Sequence, residues 1–202
     1  MEKLPVVELF IDDDNEINGI EAISLVQYPA IEENFVALKQ HKIEFKTVDE
    51  DKRIIIGLAL VPDKKIFRKN GDYSYYITFS KDTVRKGAYM FLKRLKSNNA
   101  TLEHETNIKD VYVVETWMVD NPEMDKTKIY GLNAVEGAWA VVMKIDNEQT
   151  WKGIKEGQYL GLSIEGFFSD KLEMKAQVVE DNLTEQEVEW LTKIENILKN
   201  NK

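Results

Sequence analysis

Residues 73–99, YSYYITFSKDTVRKGAYMFLKRLKSNN, change their hydrophobic period once. Tyr73, Tyr75, Ile77 and Phe79 alternate with Ser74, Tyr76 and Thr78, which is the two-residue repeat of a half-buried strand. From Ser80 the repeat lengthens. Val84, Ala88, Phe91, Leu92 and Leu95 fall on one helical face, Ser80 stands where an N-cap belongs, and Asn98-Asn99 ends the run. A strand that feeds straight into an amphipathic helix predicts an α+β domain with the helix lying on a sheet.

The segments on either side extend that reading. Arg53 to Leu60 is a nearly continuous apolar run stopped by Pro62, as expected of a strand buried on both faces. Val6 to Ile11, Ile20 to Val26, Thr101 to Glu105, Val111 to Val119, Ala138 to Ile145 and Tyr159 to Phe168 read as further strands, and Glu32 to Lys39 as a brief mixed segment. Asp146 is placed to cap a short helix through Trp151 and Ile154, which Gly157 closes in the left-handed conformation. Many strands with few helices predict an α+β fold around a curved or closed antiparallel β-barrel. Beyond Asp181 the chain turns acidic, and Thr184-Glu185-Gln186-Glu187 is a capping box opening an amphipathic helix with Val188, Leu191, Ile194 and Leu198 on one face. Residues 1–180 therefore read as one domain. Residues 181–202 read as a tail that packs on the barrel, binds a partner or is cut away.

Composition narrows the chemistry. The chain has 202 residues, 43% of them hydrophobic, which suits a single core. Thirty-six acidic against 27 basic residues, net charge −9, offer no basic face for phosphate backbones, so direct nucleic-acid binding is not expected. The longest apolar runs, such as Ala138 to Met143, fall far short of the roughly 20 residues that cross a bilayer, and Met1 to Pro5 do not resemble a secretory leader. A cytoplasmic protein with no membrane contact is the expectation. With no cysteine and two histidines, neither a thiolate site nor a histidine-rich metal site can be assembled, and no cofactor is implied. Catalysis would use hydroxyls, carboxylates and two imidazoles.

Of those imidazoles, His41 sits among charged residues and reads as exposed. His104, in Thr101-Leu102-Glu103-His104-Glu105, lies in an alternating context that sends it to one face and both glutamates to the other. If Leu102 and His104 face inward, a partner from another strand must set the imidazole tautomer. Gly161-Leu162-Ser163-Ile164-Glu165-Gly166 places a serine between bulky aliphatics, with glycines at both ends that allow another backbone to approach. It is not the G-x-S-x-G elbow of α/β-hydrolases, because one residue too many follows the serine. A serine bonded to neighbouring backbone would account for the segment equally well.

Read together and in order, Gly57-Leu58-Ala59-Leu60-Val61-Pro62, Ile66-Phe67-Arg68, Leu102-Glu103-His104-Glu105, Val114-Glu115-Thr116-Trp117, Trp139 with Val141-Val142-Met143-Lys144, Trp151 and the Ser163 segment resemble the XkdF family of phage serine proteases, over residues of about 5 to 170. The resemblance implies a fold shared with prohead proteases and assemblins, with Ser163 as nucleophile and His104 as base. It implies cleavage of scaffold and of the scaffold-like arm of the major capsid protein, inside a procapsid assembling in a host cytoplasm. A homodimer would follow the assemblin arrangement. In many prohead proteases an S-L-V-x-x-P-A stretch follows the catalytic serine, whereas here Ser24-Leu25-Val26-Gln27-Tyr28-Pro29-Ala30 precedes it. Circular permutation accounts for this if Ile20 to Val26 neighbours the Ser163 strand.

The third catalytic group stays open at this point. Those relatives carry an acid two residues before the serine of S-L-V, where this chain has Ala22. Glu21 is adjacent, but a one-residue offset faces the other way unless a bulge intervenes. Glu115, flanked by apolar residues on the strand after His104, is the other acid candidate, or else a salt-bridge residue. His41 would complete an assemblin-like pair of histidines. Two other classes compete with a protease: a structural virion protein that keeps the fold without activity, and a scaffold or capsid-binding module whose acidic tail helix is the working part.

Overall fold

The protein is described by a computed structural model that covers residues 4–27, 45–70 and 73–171. In chain order the elements are β1 (Val6–Phe10), β2 (Gly19–Val26), β3 (Lys46–Asp49), β4 (Ile54–Leu60), β5 (Ile66–Asn70), β6 (Tyr73–Phe79), α1 (Lys81–Lys93), a 3₁₀ turn (Lys96–Asn98), β7 (Ala100–Leu102), β8 (Thr106–Ile108), β9 (Val111–Met118), α2 (Lys126–Ile129), β10 (Trp139–Ile145), α3 (Glu148–Lys155), β11 (Gly161–Phe167) and β12 (Ser169–Lys171). The proposed tail helix, the Glu32 to Lys39 segment and His41 lie outside the described residues.

The change of period after Phe79 becomes the junction between β6 and α1. Ser80 accepts a hydrogen bond from the Thr83 N–H, and Val84, Ala88 and Phe91 are buried on the inner face. The second long helix departs by one residue from expectation. Asn147, not Asp146, caps α3, its side chain accepting from the Thr150 N–H, and Gly157 follows with φ +72°.

The fold is α+β, but no closed barrel forms among the described residues. Among the described residues twelve strands make three four-stranded sheets, ordered β12-β1-β6-β5, β3-β4-β10-β9 and β11-β2-β7-β8. Nor are they uniformly antiparallel, since β1 pairs with β6 and β2 with β7 in parallel. The sheets meet through side chains instead of a continuous ladder. Where β11 crosses β4, Leu162 packs into the space left by Gly57, at which a Cβ would lie 2.8 Å from Leu162 Cδ1. One backbone bond, from the Phe45 N–H to the Leu160 carbonyl, links the approaches to β3 and β11 (3.1 Å). The core between the sheets gathers Ile20, Ile23 and Leu25 of β2, Ile55 of β4, Phe91 of α1, Leu162 of β11, and Trp139, Val141 and Met143 of β10. Phe91 and Trp139 meet edge to face, 5.3 Å between ring centroids.

β2 and β11 are neighbours in antiparallel register, with Ser163 opposite Ser24 and Glu165 opposite Ala22. The register then slips, so that Gly166 faces Ile20 and Glu21 is the extra residue of a bulge. A Cβ at Gly166 would overlap the Gly19 carbonyl oxygen, so this glycine serves the packing of β11 on β2 and not the approach of a substrate.

Candidate active site

Three polar residues line up across three strands. Ser163 on β11 faces Ser24 on β2, which faces Thr101 on β7. Directly paired residues share a face of a sheet, and the neighbouring row, Leu162, Leu25 and Leu102, turns to the core. The hydroxyl row is nearly sequestered, with Ser24 at 0%, Thr101 at 4% and Ser163 at 9% exposure. Ser24 and Thr101 have partners for their hydroxyls, whereas the Ser163 hydroxyl has none among the described residues.

His104 does not continue β7 as the alternation of Thr101 to Glu105 predicts. The strand stops at Leu102, and Glu103, His104 and Glu105 form a three-residue loop to β8 in which Glu103 (φ +51°) and His104 (φ +61°) are both left-handed. That conformation costs an L-residue about 1–2 kcal/mol. Hydrogen bonds to the β2 strand and the residue after it hold it: the Glu103 N–H donates to the Leu25 carbonyl (3.1 Å), the Gln27 N–H to the Glu103 carboxylate (2.6 Å), and the His104 N–H to Ser24 Oγ (3.0 Å). Two successive strained residues fixed in this way bring the imidazole back over the polar face of the sheet, one serine away from Ser163.

The carboxylate beside the imidazole is Glu165. Its Oε1 lies 3.3 Å from His104 Nδ1, with the two side chains 29% and 43% exposed, and Thr101 Oγ1 donates to the same oxygen. Glu165 follows Ser163 by two residues on β11 and so shares its face. Neither acid candidate from the sequence reaches His104. Glu115, on β9 in another sheet and opposite Val142, is 54% exposed and paired with Lys126, whose ammonium also lies 4.1 Å from the centre of the Trp117 ring. Its flanking residues Val114 and Thr116 do not enclose it, because Val114 is itself half exposed. Glu21 is displaced by the bulge toward the end of α1, where Arg94 and Lys96 bind it. Alternation along Ser163-Ile164-Glu165 was the signal that could have found Glu165. Ser24 was visible as the serine of the S-L-V stretch but with no role attached to it, and nothing local in the sequence marked Thr101.

A hydroxyl and a carboxylate-paired imidazole on one sheet face are the groups that serine hydrolases use, although no hydrogen bond joins His104 to Ser163 among the described residues. The chain belongs to the family described as "Putative phage serine protease XkdF", whose model matches residues 42–173. The matched span contains His104, Ser163 and Glu165; β1 and β2, with Ser24, precede it. No curated protein and no solved structure matches the chain.

Proposed function

We propose that the protein is a serine endopeptidase in which Ser163 is the nucleophile, His104 the general base and Glu165 the acid that orients it. The observation carrying this reading is the pairing of Glu165 with Ala22. In the prohead proteases that the sequence resembles, an acid occupies the position of Ala22, two residues before the serine of S-L-V. Directly opposed residues on adjacent strands have Cβ atoms about 4.5–5.5 Å apart on one face, so a carboxylate from Glu165 reaches the same place from the facing strand. The acid has crossed from one strand to its neighbour, and the bulge at Glu21 leaves that position on the polar face.

In this mechanism Glu165 accepts the Nδ1–H of His104, which leaves Nε2 as the basic nitrogen. His104 takes the proton of Ser163 as Oγ adds to the scissile carbonyl, then gives it to the leaving amine; water repeats the cycle to release the acid product. The imidazolium formed in between is stabilised by the Glu165 carboxylate. Substrates are the scaffold and the scaffold-like arm of the capsid protein, cut during prohead maturation. The adjacency of β2 and β11 supports a circularly permuted relation to the commoner prohead proteases.

The test is co-expression with the chain's own scaffold and capsid proteins, comparing wild type with Ser163→Ala and His104→Ala by intact mass. Processing is expected to vanish in both variants, since loss of a triad nucleophile or base costs about 10⁴-fold or more in rate. Unchanged processing would shift the assignment to a structural virion protein, the reading that the vacant acid position at Ala22 would otherwise favour.

A further inference from the structure

Ser163 also belongs to the wall of a cavity that the proposed mechanism leaves unused. It measures about 220 Å³ and lies where β11 meets β5, β6 and the end of β4. Leu162, Ser163 and Ile164 all line it. Successive strand residues point to opposite faces, so a cavity touching all three meets the strand along its edge, and β11 is an edge strand of its sheet among the described residues. The volume is below the roughly 300–1,000 Å³ of sites for drug-sized ligands and suits a single amino-acid side chain.

The walls are mostly apolar, including Leu9, Ile77, Phe79 and Phe168, but two cations, Lys64 and Arg68, stand among them. Arg68 sits on β5 opposite Tyr75, two residues after Ile66 and on the same face. Its guanidinium donates to the Phe67 carbonyl (3.0 Å) and has no carboxylate partner among the described residues. Arg68 is exposed, so a ligand can reach it, and desolvation by the neighbouring walls pulls its pKa below the ordinary arginine value. Its planar fork at the rim of an apolar cavity can grip both oxygens of a carboxylate.

We infer that this cavity is the specificity pocket of the protease and that it takes an acidic side chain, glutamate above all, from the substrate residue next to the cut. The inference rests on Ser163 being the nucleophile. The apolar walls would cover the methylenes of the side chain and Arg68 its carboxylate, so a neutral isostere of equal length loses the second contact only.

The test uses the full chain carrying Ser163→Ala, so that no cut is made, titrated with acetylated hexapeptides identical except for Glu, Gln, Leu or Lys at the third position, and followed by amide chemical shifts. The glutamate peptide should bind about ten-fold or more tighter than the glutamine peptide, a difference typical of one charge-assisted contact. Shifts should concentrate at Leu162 to Ile164 and Ile66 to Arg68. Adding Arg68→Gln should erase the difference, and Arg68→Lys, which keeps the charge but not the fork, should retain its sign at reduced size. Equal binding of the Glu and Gln peptides, or a preference that survives Arg68→Gln combined with Lys64→Gln, overturns the pocket. Cleavage of the same peptides by the chain with Ser163 intact reads the protease assignment separately. If none is cut while the binding preference stands, the protease reading fails and the acidic pocket remains; if the leucine peptide is cut in preference to the glutamate one, the pocket assignment fails.

Discussion

Replacing Glu165 with Ala tests whether the acid has moved from one strand to the next. The change removes the carboxylate 3.3 Å from His104 Nδ1 and leaves Thr101 Oγ1 without its acceptor. In a triad with a fully buried acid, loss of correct imidazole orientation costs about 10⁴-fold in kcat. Here the acid is 29% and the imidazole 43% exposed, so water competes for Nδ1 and the expected loss is about 10²–10³-fold. Folding should lose about 1–3 kcal/mol, the cost of leaving the buried Thr101 hydroxyl unpaired, to which the partly exposed ion pair adds little. The informative variant is the double one. Ala22→Glu in the Glu165→Ala background puts a carboxylate back on the same face from the opposite strand, and should recover at least about ten-fold of the lost rate, given the roughly 5 Å between paired Cβ atoms. The assay is the time course of scaffold and capsid-protein cleavage by intact mass, with Glu115→Gln and Glu21→Gln run as comparisons that stay near wild type. If Glu165→Ala stays within about three-fold of wild type while Ser163→Ala is inactive, Glu165 does not orient the base. If the double variant folds but recovers nothing, the acid did not relocate.

Three further outcomes concern the frame around the site. Gly166→Ala should lose about 1–3 kcal/mol in a urea melt, because its Cβ would overlap the Gly19 carbonyl oxygen and backbone yields poorly; Gly131→Ala, left-handed at φ +68° with open space around it, should lose only about 1 kcal/mol. Trp139→Ala should lose about 3–5 kcal/mol, since the side chain is fully buried against Phe91 and its indole N–H donates to Thr116 Oγ1. Asp125 should make part of the stability acid-sensitive. Burial pushes its carboxyl up, but hydrogen bonds from the Thr127 N–H and the Trp117 indole outweigh that and hold it below the ordinary 3.8. A folded-state value below the unfolded one means stability that is present above about pH 4 and lost as pH falls through the folded value. Asp125→Asn should accordingly flatten the acid limb of a denaturation profile, and an unchanged limb would refute the assignment.

Regular segments were legible where one period held for a full element. β4 is buried along most of its length, as its unbroken apolar run implied, and α1 begins at the serine that its spacing picked out. Short strands were harder. β5 carries Arg68 and Lys69 in an exposed register, and β8 is three residues long with two of them exposed, so neither shows an apolar repeat from which pairing could be read. Sheet closure was not legible either, because alternation reports which face of a strand is buried and says nothing about whether its edge meets a backbone or a side chain. Gly57 against Leu162 is such a case: the glycine that reads as a weak point in a strand is the place where β11 packs on β4 without pairing to it.

The site was half legible for a related reason. Ser163 and His104 stood out through the resemblance of their segments to the XkdF family, but the route by which His104 arrives at the polar face was hidden. Thr101 to Glu105 contains no glycine, asparagine or proline, the residues that normally announce a left-handed turn, and the alternation invites a strand. What turns the chain is the partner strand: the Leu25 carbonyl, the Gln27 N–H and Ser24 Oγ hold Glu103 and His104 in a conformation that neither residue favours alone. Ser24, 80 residues from His104 in the chain, thereby joins the two catalytic candidates, since it faces Ser163 across β2 and β11 and holds the His104 backbone through its hydroxyl. If that hydroxyl sets the approach of the base, Ser24→Ala should lower the cleavage rate while costing only about 0.5–1.5 kcal/mol of stability, the net worth of one hydrogen bond. Ser24→Thr, which keeps an acceptor oxygen, should restore most of the rate. A Ser24→Ala variant that cleaves at the wild-type rate would mean that the loop holds His104 in place without it.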